Sequence, residues 1–216
     1  MNTSIIESRP DFAAIAAWIP QGSSVLDLGC GVAAEIIEFS CGGATCVGLD
    51  AAADPIKLLE FAKREFGLNS FTPVRGDAAA LPFGDRSFDA VMSMHSLEHV
   101  GDLDGTLREA IRVLRPGGRL LVLQASIWNP VVVAMQWKHY GLKWQRTKHL
   151  VWRNPYGDGC DQKNEDLHDG AWWRTRMAAC KELRLLNFCR LPALPGLAGV
   201  LTKPLFGHFF MVMEKI

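Results

Sequence analysis

The sequence predicts an α/β fold, a mostly parallel sheet with helices on both faces. Three observations lead there. Short apolar runs alternate with amphipathic stretches through the first half of the chain, as strand–helix units of a parallel sheet require. Polar residues recur at or just past the carboxyl ends of those runs, at Asp27, Asp50, Asp77 and Ser93, the edge where open parallel sheets bind ligands. A glycine turn, Gly29-Cys30-Gly31, joins the first run to the next amphipathic stretch and lets backbone approach a nucleotide closely.

Phe12, Ile15, Ala16 and Ile19 recur at helical spacing after Pro10, and Pro20-Gln21-Gly22 ends that helix. Ser24–Leu28 reads as a buried strand, Ala33–Ser40 as a helix ending near Cys41-Gly42-Gly43, and Thr45–Leu49 as a second strand. Asp54-Pro55 supplies a cap residue followed by proline at the first helical position, and so predicts a helix over Ile56–Phe66 that Gly67 stops. Phe71–Val74 and Phe88–Ser93 are the third and fourth strands. A helix over Asp104–Val113 closes at Arg115-Pro116-Gly117-Gly118, and Arg119–Leu123 is the fifth strand. Ala171–Leu183 reads as a helix, with Arg184–Arg190 and Phe209–Glu214 as two further strands. Two stretches break the alternation. Ile127–Gly170 is too long for a plain connection, and Pro192–Gly207 is an apolar, Pro/Gly-rich loop; insertions at a ligand-facing edge often serve as lids or substrate walls.

A chain of 216 residues most simply forms one domain over 1–216. Lys plus Arg equals Asp plus Glu at 23 each, so no global field draws in nucleic acid or an anionic membrane. Met1–Pro10 lacks a basic start followed by an apolar stretch, and no apolar run approaches membrane-spanning length, so a cytoplasmic protein is expected. The six cysteines (Cys30, Cys41, Cys46, Cys160, Cys180, Cys189) show no Cys-x-x-Cys spacing and read as free thiols. No ligand spacing supports a metal, and His168 among acids reads as solvated surface.

The carboxylates discriminate between ligands. Gly29-x-Gly31-x-x-Ala34 also fits a dinucleotide site, but a pyrophosphate gains nothing from Asp27 two residues before the first glycine. A ligand with a cationic end and a ribose uses both Asp27 and Asp50, and S-adenosylmethionine is such a ligand.

Further blocks extend this pattern: Val25-Leu26-Asp27-Leu28-Gly29-Cys30-Gly31, Val47-Gly48-Leu49-Asp50, and Gly76-Asp77-Ala78 with Leu81-Pro82-Phe83. Then come Phe88-Asp89-Ala90-Val91 with Leu97-Glu98-His99-Val100, and Arg112-Val113-Leu114-Arg115-Pro116-Gly117-Gly118. In this order the chain resembles the class I S-adenosylmethionine-dependent methyltransferases over about Pro10 to Ala125. It is most similar to the small-molecule subgroup (methyltransferase type 11) that includes ubiquinone, menaquinone and sterol or tocopherol enzymes. The resemblance implies a Rossmann-like, seven-stranded, mostly parallel sheet with the last strand antiparallel and an inserted lid, 127–170, after strand five. It implies that Asp27 helps hold the methionine ammonium while Gly29 and Gly31, with Cys30 between them, clear room for the cofactor. Asp50, beside Ala51, would accept both ribose hydroxyls. Asp77 would take the adenine amino group, with Ala78 stacking or bonding by its backbone. Ser93 and Met94 would border the cofactor. The subgroup usually has Thr-Gly where Val32-Ala33 stands, which narrows the turn slightly.

Methyl transfer from a sulfonium is a direct displacement, so alignment supplies much of the acceleration. A base helps only where the acceptor must lose a proton. His95 and His99, four apart, are predicted to share a helical face. His99 matches a position where related O-methyltransferases carry a histidine base, although that position is structural in others. Both are candidate catalytic residues, and Glu98 reads as a partner or loop anchor. Asn154-Pro155-Tyr156 only partly echoes an amino-methylating motif and follows the wrong strand; Ser93-Met94-His95-Ser96 stands where that motif belongs.

From Ala110 to Gly157 there is no Asp or Glu, yet Arg112, Arg115, Arg119, Lys138, Lys143, Arg146, Lys148 and Arg153 occur, interleaved in 128–156 with aromatic residues. Asp158, Asp161, Glu165, Asp166 and Asp169 follow. An ion-paired lid, a wall for an anionic or aromatic acceptor, and a nucleic-acid dock all fit this pattern. The expected function is an S-adenosylmethionine-dependent methyltransferase acting on a small molecule held between the strand-four loop and 127–170. O-methylation is expected, with carbon and nitrogen acceptors open. The alternatives are an RNA- or protein-directed methyltransferase docking through 128–153, and a non-catalytic S-adenosylmethionine-binding partner protein.

Overall fold

The computed structural model describes residues 15–31, 34–125, 150–151, 166–167, 170–191 and 208–216. The chain builds β1 (Ser24–Leu28), α1 (Ala34–Cys41), β2 (Thr45–Asp50), α2 (Ala53–Phe66) and β3 (Phe71–Arg75). It continues through β4 (Phe88–Met94), a short 3-10 turn (Leu97–His99), α3 (Leu103–Val113) and β5 (Leu114–Ala125). β6 (Leu150–Val151), β7 (Asp166–Leu167), α4 (Gly170–Ala178), β8 (Leu183–Leu191) and β9 (His208–Lys215) complete it. The seven-stranded sheet has the order β3-β2-β1-β4-β5-β9-β8. Strands β1 to β5 pair in parallel, and β9 runs antiparallel to both β5 and β8. The order reverses between β1 and β4, so their carboxyl ends open the crevice where such sheets bind ligands.

Strands covered on both faces must be apolar on both faces, and these are. Leu26, Leu28, Val91, Leu120 and Val122 pack with Leu107 and Ile111 of α3 and Trp173 and Met177 of α4. Their sequence neighbours Val25, Ala90, Met92, Leu121 and Leu123 pack on the other face with Ile36 and Phe39 of α1 and Ile56 and Leu59 of α2. Each such buried aliphatic side chain stabilises the fold by roughly 1.5–3 kcal/mol.

Three boundaries differ from the sequence expectation for a local reason. Helix α2 starts at Ala53, with Ala52 as a cap residue that makes no side-chain bond. Asp50 Oδ1 accepts the Ala52 amide at 2.8 Å and holds that start from outside the helix. Asp54 then sits in the first turn, where its charge suits the helix dipole, and Pro55 lacks an N–H that would be orphaned there anyway. Strand β5 begins at Leu114, which pairs with Phe88 before the register shifts. The Arg115–Gly118 stretch is therefore a bulge within the strand: Gly117 has φ +77°, and a Cβ at Gly118 would lie 2.8 Å from the Arg115 carbonyl oxygen. Helix α4 stops at Ala178, because Leu183 already pairs with Lys215 in the sheet. Residues 15 and 16 are helical and 17–18 form a turn, while Pro10–Ala14 and Pro192–Gly207 lie outside the described residues.

Within 127–170 the described residues form a two-stranded antiparallel pair, Leu150 opposite Leu167 and Val151 opposite Asp166. Strand β7 lies against the Leu97–His99 turn. Most of the basic aromatic stretch 128–153 lies outside the described residues. No helix among the described residues is long and apolar enough to cross a membrane.

Candidate active site

Asp27 ends up 3 % exposed near the carboxyl end of β1, in register with Gly48 of β2 and Met92 of β4. The chain then folds back over β2: the Gly29 and Cys30 amides both donate to the Leu49 carbonyl, at 2.8 and 3.0 Å. Gly29 has φ +70°, and a Cβ on it would stand 2.5 Å from the Ser96 Cβ, so both conformation and space demand glycine. Gly31 has φ +50°, and nothing lies within 4 Å of its Cβ position, so the turn faces open space there. The Asp50 carboxylate ties this turn to the next helix, accepting the Gly31 amide through Oδ2 at 2.9 Å and the Ala52 amide through Oδ1. Each carboxylate oxygen keeps a lone pair for a further donor.

Cys30 is buried, and its Sγ packs close to Gly48. Desolvation first, then the Asp27 and Asp50 carboxylates, hold its thiol far above the usual range, so it is a protonated filler of the turn. Ala51 is exposed, and its carbonyl accepts Arg75 Nε at 3.2 Å. Asp77 is exposed and folds its own loop, Oδ1 accepting the Ala79 amide at 2.9 Å, with Ala78 half-buried beside it. That loop is clamped from α3: Glu109 Oε2 accepts the Leu81 amide, while Arg112 donates to the Phe83 carbonyl at 2.9 Å.

The turn after β4 is pinned onto β1. Ser96 Oγ donates to the Leu28 carbonyl at 2.5 Å and contacts Ser93 Oγ at 2.5 Å, both hydroxyls buried. Met94 is half-buried. His95 donates its amide to the Leu123 carbonyl at 2.9 Å from a left-handed backbone, φ +53°, uncommon outside glycine. Only Leu97–His99 is helical in this stretch, so no helix spans His95 and His99 and the expected common helical face does not form. His99 is half-buried, and desolvation lowers its pKa below the ordinary value, which favours the neutral imidazole.

Glu98 is 6 % exposed, and burial pushes its carboxyl up to about 7, opposed by its own backbone and by the facing Gln124 amide. Gln124, at the carboxyl end of β5 and 1 % exposed, was not singled out from the sequence. The signal was present: it continues the Leu120–Val122 alternation as the one polar residue, at the same sheet edge as Asp27, Asp50 and Ser93.

These residues fit S-adenosylmethionine. The open side of Gly31 is a cradle that a Cβ would fill, a buried carboxylate at Asp27 suits an ammonium, and Asp50 retains acceptor capacity for a ribose. A cavity of about 380 Å³ lies at the opposite, amino-terminal edge of the sheet, lined by Ser23, Asp89, Arg115 and Arg119 among others. Its charges are already used: Asp89 accepts from Ser24 Oγ at 2.7 Å and from Arg115, which makes it a structural corner.

Residues 26–122 match the family model of the methyltransferase domain. The demethylmenaquinone methyltransferase of Mycobacterium tuberculosis strain H37Rv is 38% identical over 141 residues, 65% of this chain and 57% of that protein. The protein of the same name from Mycobacterium sp. strain JLS is 38% identical over 128 residues, 59% of this chain and 53% of that one. The chain thus covers less than two thirds of the length of these relatives. A Methanosarcina mazei structure described as an S-adenosylmethionine-dependent methyltransferase superposes with a TM-score of 0.71 at 22% identity, covering 94% of this chain and 97% of that one. The [4+2]-cyclase SpnF superposes at 0.69 with 18% identity, covering 95% and 80%. One fold thus carries differently named activities, so the reaction must be argued from the site. Over residues 26–122 the chain thus matches a methyltransferase domain, and with the Asp27 to Asp50 corner and the sheet order in agreement it is similar to the class I S-adenosylmethionine-dependent methyltransferases.

Proposed function

We propose that this chain transfers a methyl group from S-adenosylmethionine to a small aromatic acceptor of the quinone type. The observation that carries the reading is the convergence, at one sheet edge, of buried Asp27, the Asp50-tethered glycine turn and the Ser96-pinned turn that β7 lies against. In this reading Asp27 holds the ammonium, Gly29, Cys30 and Gly31 shape the cradle, and Asp50 with Ala51 receives the ribose. Asp77 and Ala78 flank the adenine, and Ser93 and Met94 border the reacting end. The bound cofactor supplies a sulfonium-activated methyl group, so the protein's contribution is alignment and exclusion of water. The whole of 1–216 acts as one domain, with 127–170 covering the acceptor. The relatives' name favours a quinone, and with it a ring carbon as the methylated atom, over the hydroxyl oxygen expected from the sequence.

A second reading, O-methylation, is favoured by His99: a neutral imidazole on the turn that β7 lies against is suited to taking a hydroxyl proton. RNA- or protein-directed methylation rests on 128–153, most of which lies outside the described residues.

The test is incubation with methyl-labelled S-adenosylmethionine and, separately, a naphthohydroquinone without a ring methyl, total RNA and a protein extract. Label in an organic-soluble product supports the proposal, and the methylated atom separates its two forms. Label confined to nuclease- or protease-sensitive material overturns it. Cofactor binding with no labelled product from any of them favours the non-catalytic alternative.

A further inference from the structure

Three buried polar atoms near the crevice have no hydrogen-bond partner: Glu98 Oε2, Gln124 Nε2 and Gln124 Oε1. Their side chains face each other, since the Gln124 amide favours the charged form of Glu98, yet neither amide atom reaches a hydrogen bond of ordinary geometry. Buried polar groups are ordinarily satisfied, and leaving three open in one place is costly unless something else fills the gap.

Their position says where that something sits. Glu98 is two residues past Ser96, whose Cβ lies against the cofactor turn at Gly29. Gln124 follows Leu123, whose carbonyl holds the His95 amide, and it shares the sheet face of Val122, the register partner of Ser93. Strand β7 of the inserted segment lies against the turn that carries Glu98. The pair therefore stands between the reacting end of the cofactor site and the described part of the lid. The surroundings are aromatic and aliphatic: Phe209 opposite Gln124, with Leu97 and Trp173 in the same core cluster.

We propose that Glu98 and Gln124 bind a hydroxyl group of an aromatic acceptor. The hydroxyl donates to Glu98 Oε2 and accepts from Gln124 Nε2, which satisfies two of the three open atoms with one group. A phenolic or quinol hydroxyl meets this demand, and a methyl ether, having no proton to donate, does not. Near neutrality a substantial share of Glu98 is ionised and able to accept that proton in a hydrogen bond. This selection for the hydroxyl rests on the proposed small-molecule methyltransferase function and specifies the acceptor within it.

The experiment measures naphthol and methoxynaphthalene binding to full-length protein saturated with S-adenosylhomocysteine, for wild type, Glu98→Leu, Glu98→Gln and Gln124→Leu. Wild type should prefer naphthol by about tenfold, the scale of a hydrogen bond to a charged group. Gln124→Leu and Glu98→Leu should collapse that preference towards unity while S-adenosylhomocysteine affinity stays unchanged. Glu98→Gln keeps an acceptor and the shape of the side chain, so it should retain part of the preference, and it serves if the leucine variant does not fold. Variants that lose thermal stability but keep the wild-type preference overturn the inference and leave a structural pair. If wild type shows no preference while still methylating naphthohydroquinone, the inference fails and the proposed function stands. Binding of neither naphthalene, with no labelled small-molecule product, overturns both.

Discussion

Asp50 Oδ2 accepts the Gly31 amide at 2.9 Å, so strand β2 and the glycine turn after β1 share one carboxylate. The same group holds the start of α2 through Ala52. One side chain thus couples the turn to the helix, and in the proposed function it also receives the ribose. Asp50→Ala should weaken S-adenosylhomocysteine binding by more than about tenfold, because charged hydrogen bonds to the ribose are lost. It also frees two backbone amides at roughly 1 kcal/mol each, with about 2–4 °C of Tm per kcal/mol for a chain of this size. Calorimetry checks the first effect, and an unchanged affinity would sink the ribose assignment.

The two turn glycines should fail differently. A methyl at Gly29 meets Ser96 Cβ at 2.5 Å from a φ of +70°, so Gly29→Ala should lower Tm as well as abolish cofactor binding. Gly31→Ala meets nothing within 4 Å and carries only the strain of its φ of +50°, roughly 1–2 kcal/mol. Its cost should fall mainly on cofactor affinity. Equal thermal losses in the two variants, read by calorimetric melting, would contradict this division.

Arg112 should matter to a loop it does not belong to. Its guanidinium bonds both Glu109 oxygens at 2.8 Å, Asp85 at 2.7 Å and the Phe83 carbonyl, clamping the segment that carries Asp77. Arg112→Met should cost roughly 1–3 kcal/mol, discounted for the partly exposed setting. Bonding to Arg112 and to the Leu81 amide holds the Glu109 carboxyl below its ordinary 4.5. That stabilisation is present above about pH 4.5 and is lost as pH falls through the folded value. The wild-type advantage over Arg112→Met should therefore shrink on acidification, and an advantage that grew below pH 4 would argue against the clamp.

Glu98 predicts the opposite slope. Its folded carboxyl is raised from 4.5 to about 7, so between those values the folded state keeps a proton the unfolded state has released. Stability must then fall as pH rises through that window and level off above it, by an amount on the order of a few kcal/mol. Glu98→Gln removes this slope, so the variant should gain on wild type from pH 5 to pH 7 in parallel melts. A difference that does not vary with pH would show that Glu98 is not held protonated.

The strand–turn–strand unit around Asp27 and Asp50 was legible in the sequence because its signals are local. An apolar run ending in Asp27, a glycine turn and a second run ending in Asp50 specify strand, turn and strand, and those elements stand where expected. Features set by distant contacts were not legible. The α2 start depends on Asp50 reaching across to Ala52, and the β5 bulge depends on Leu114 pairing with Phe88. His95 takes a left-handed backbone while bonding Leu123, which a four-residue histidine spacing does not reveal. Gln124 escaped notice because a glutamine ending a strand resembles surface until burial is known.

His99 separates the two forms of the proposed reaction. Burial lowers its pKa below the ordinary 6.5, so the neutral imidazole a base requires is already present at pH 7. If it takes a proton from the acceptor, kcat/KM must rise with pH up to that lowered value and then flatten. His99→Ala should remove that limb and most of the turnover, while S-adenosylhomocysteine affinity stays within about twofold. A limb near pH 7 that survives the substitution belongs to Glu98, whose carboxyl titrates there. Loss of turnover and cofactor affinity together would mark His99 as a positioning residue of the Ser96 turn, where its amide bonds the Ser96 carbonyl at 3.0 Å. Full turnover without His99 would favour methylation at a carbon already activated by the hydroxyl on its ring, where no imidazole base is needed.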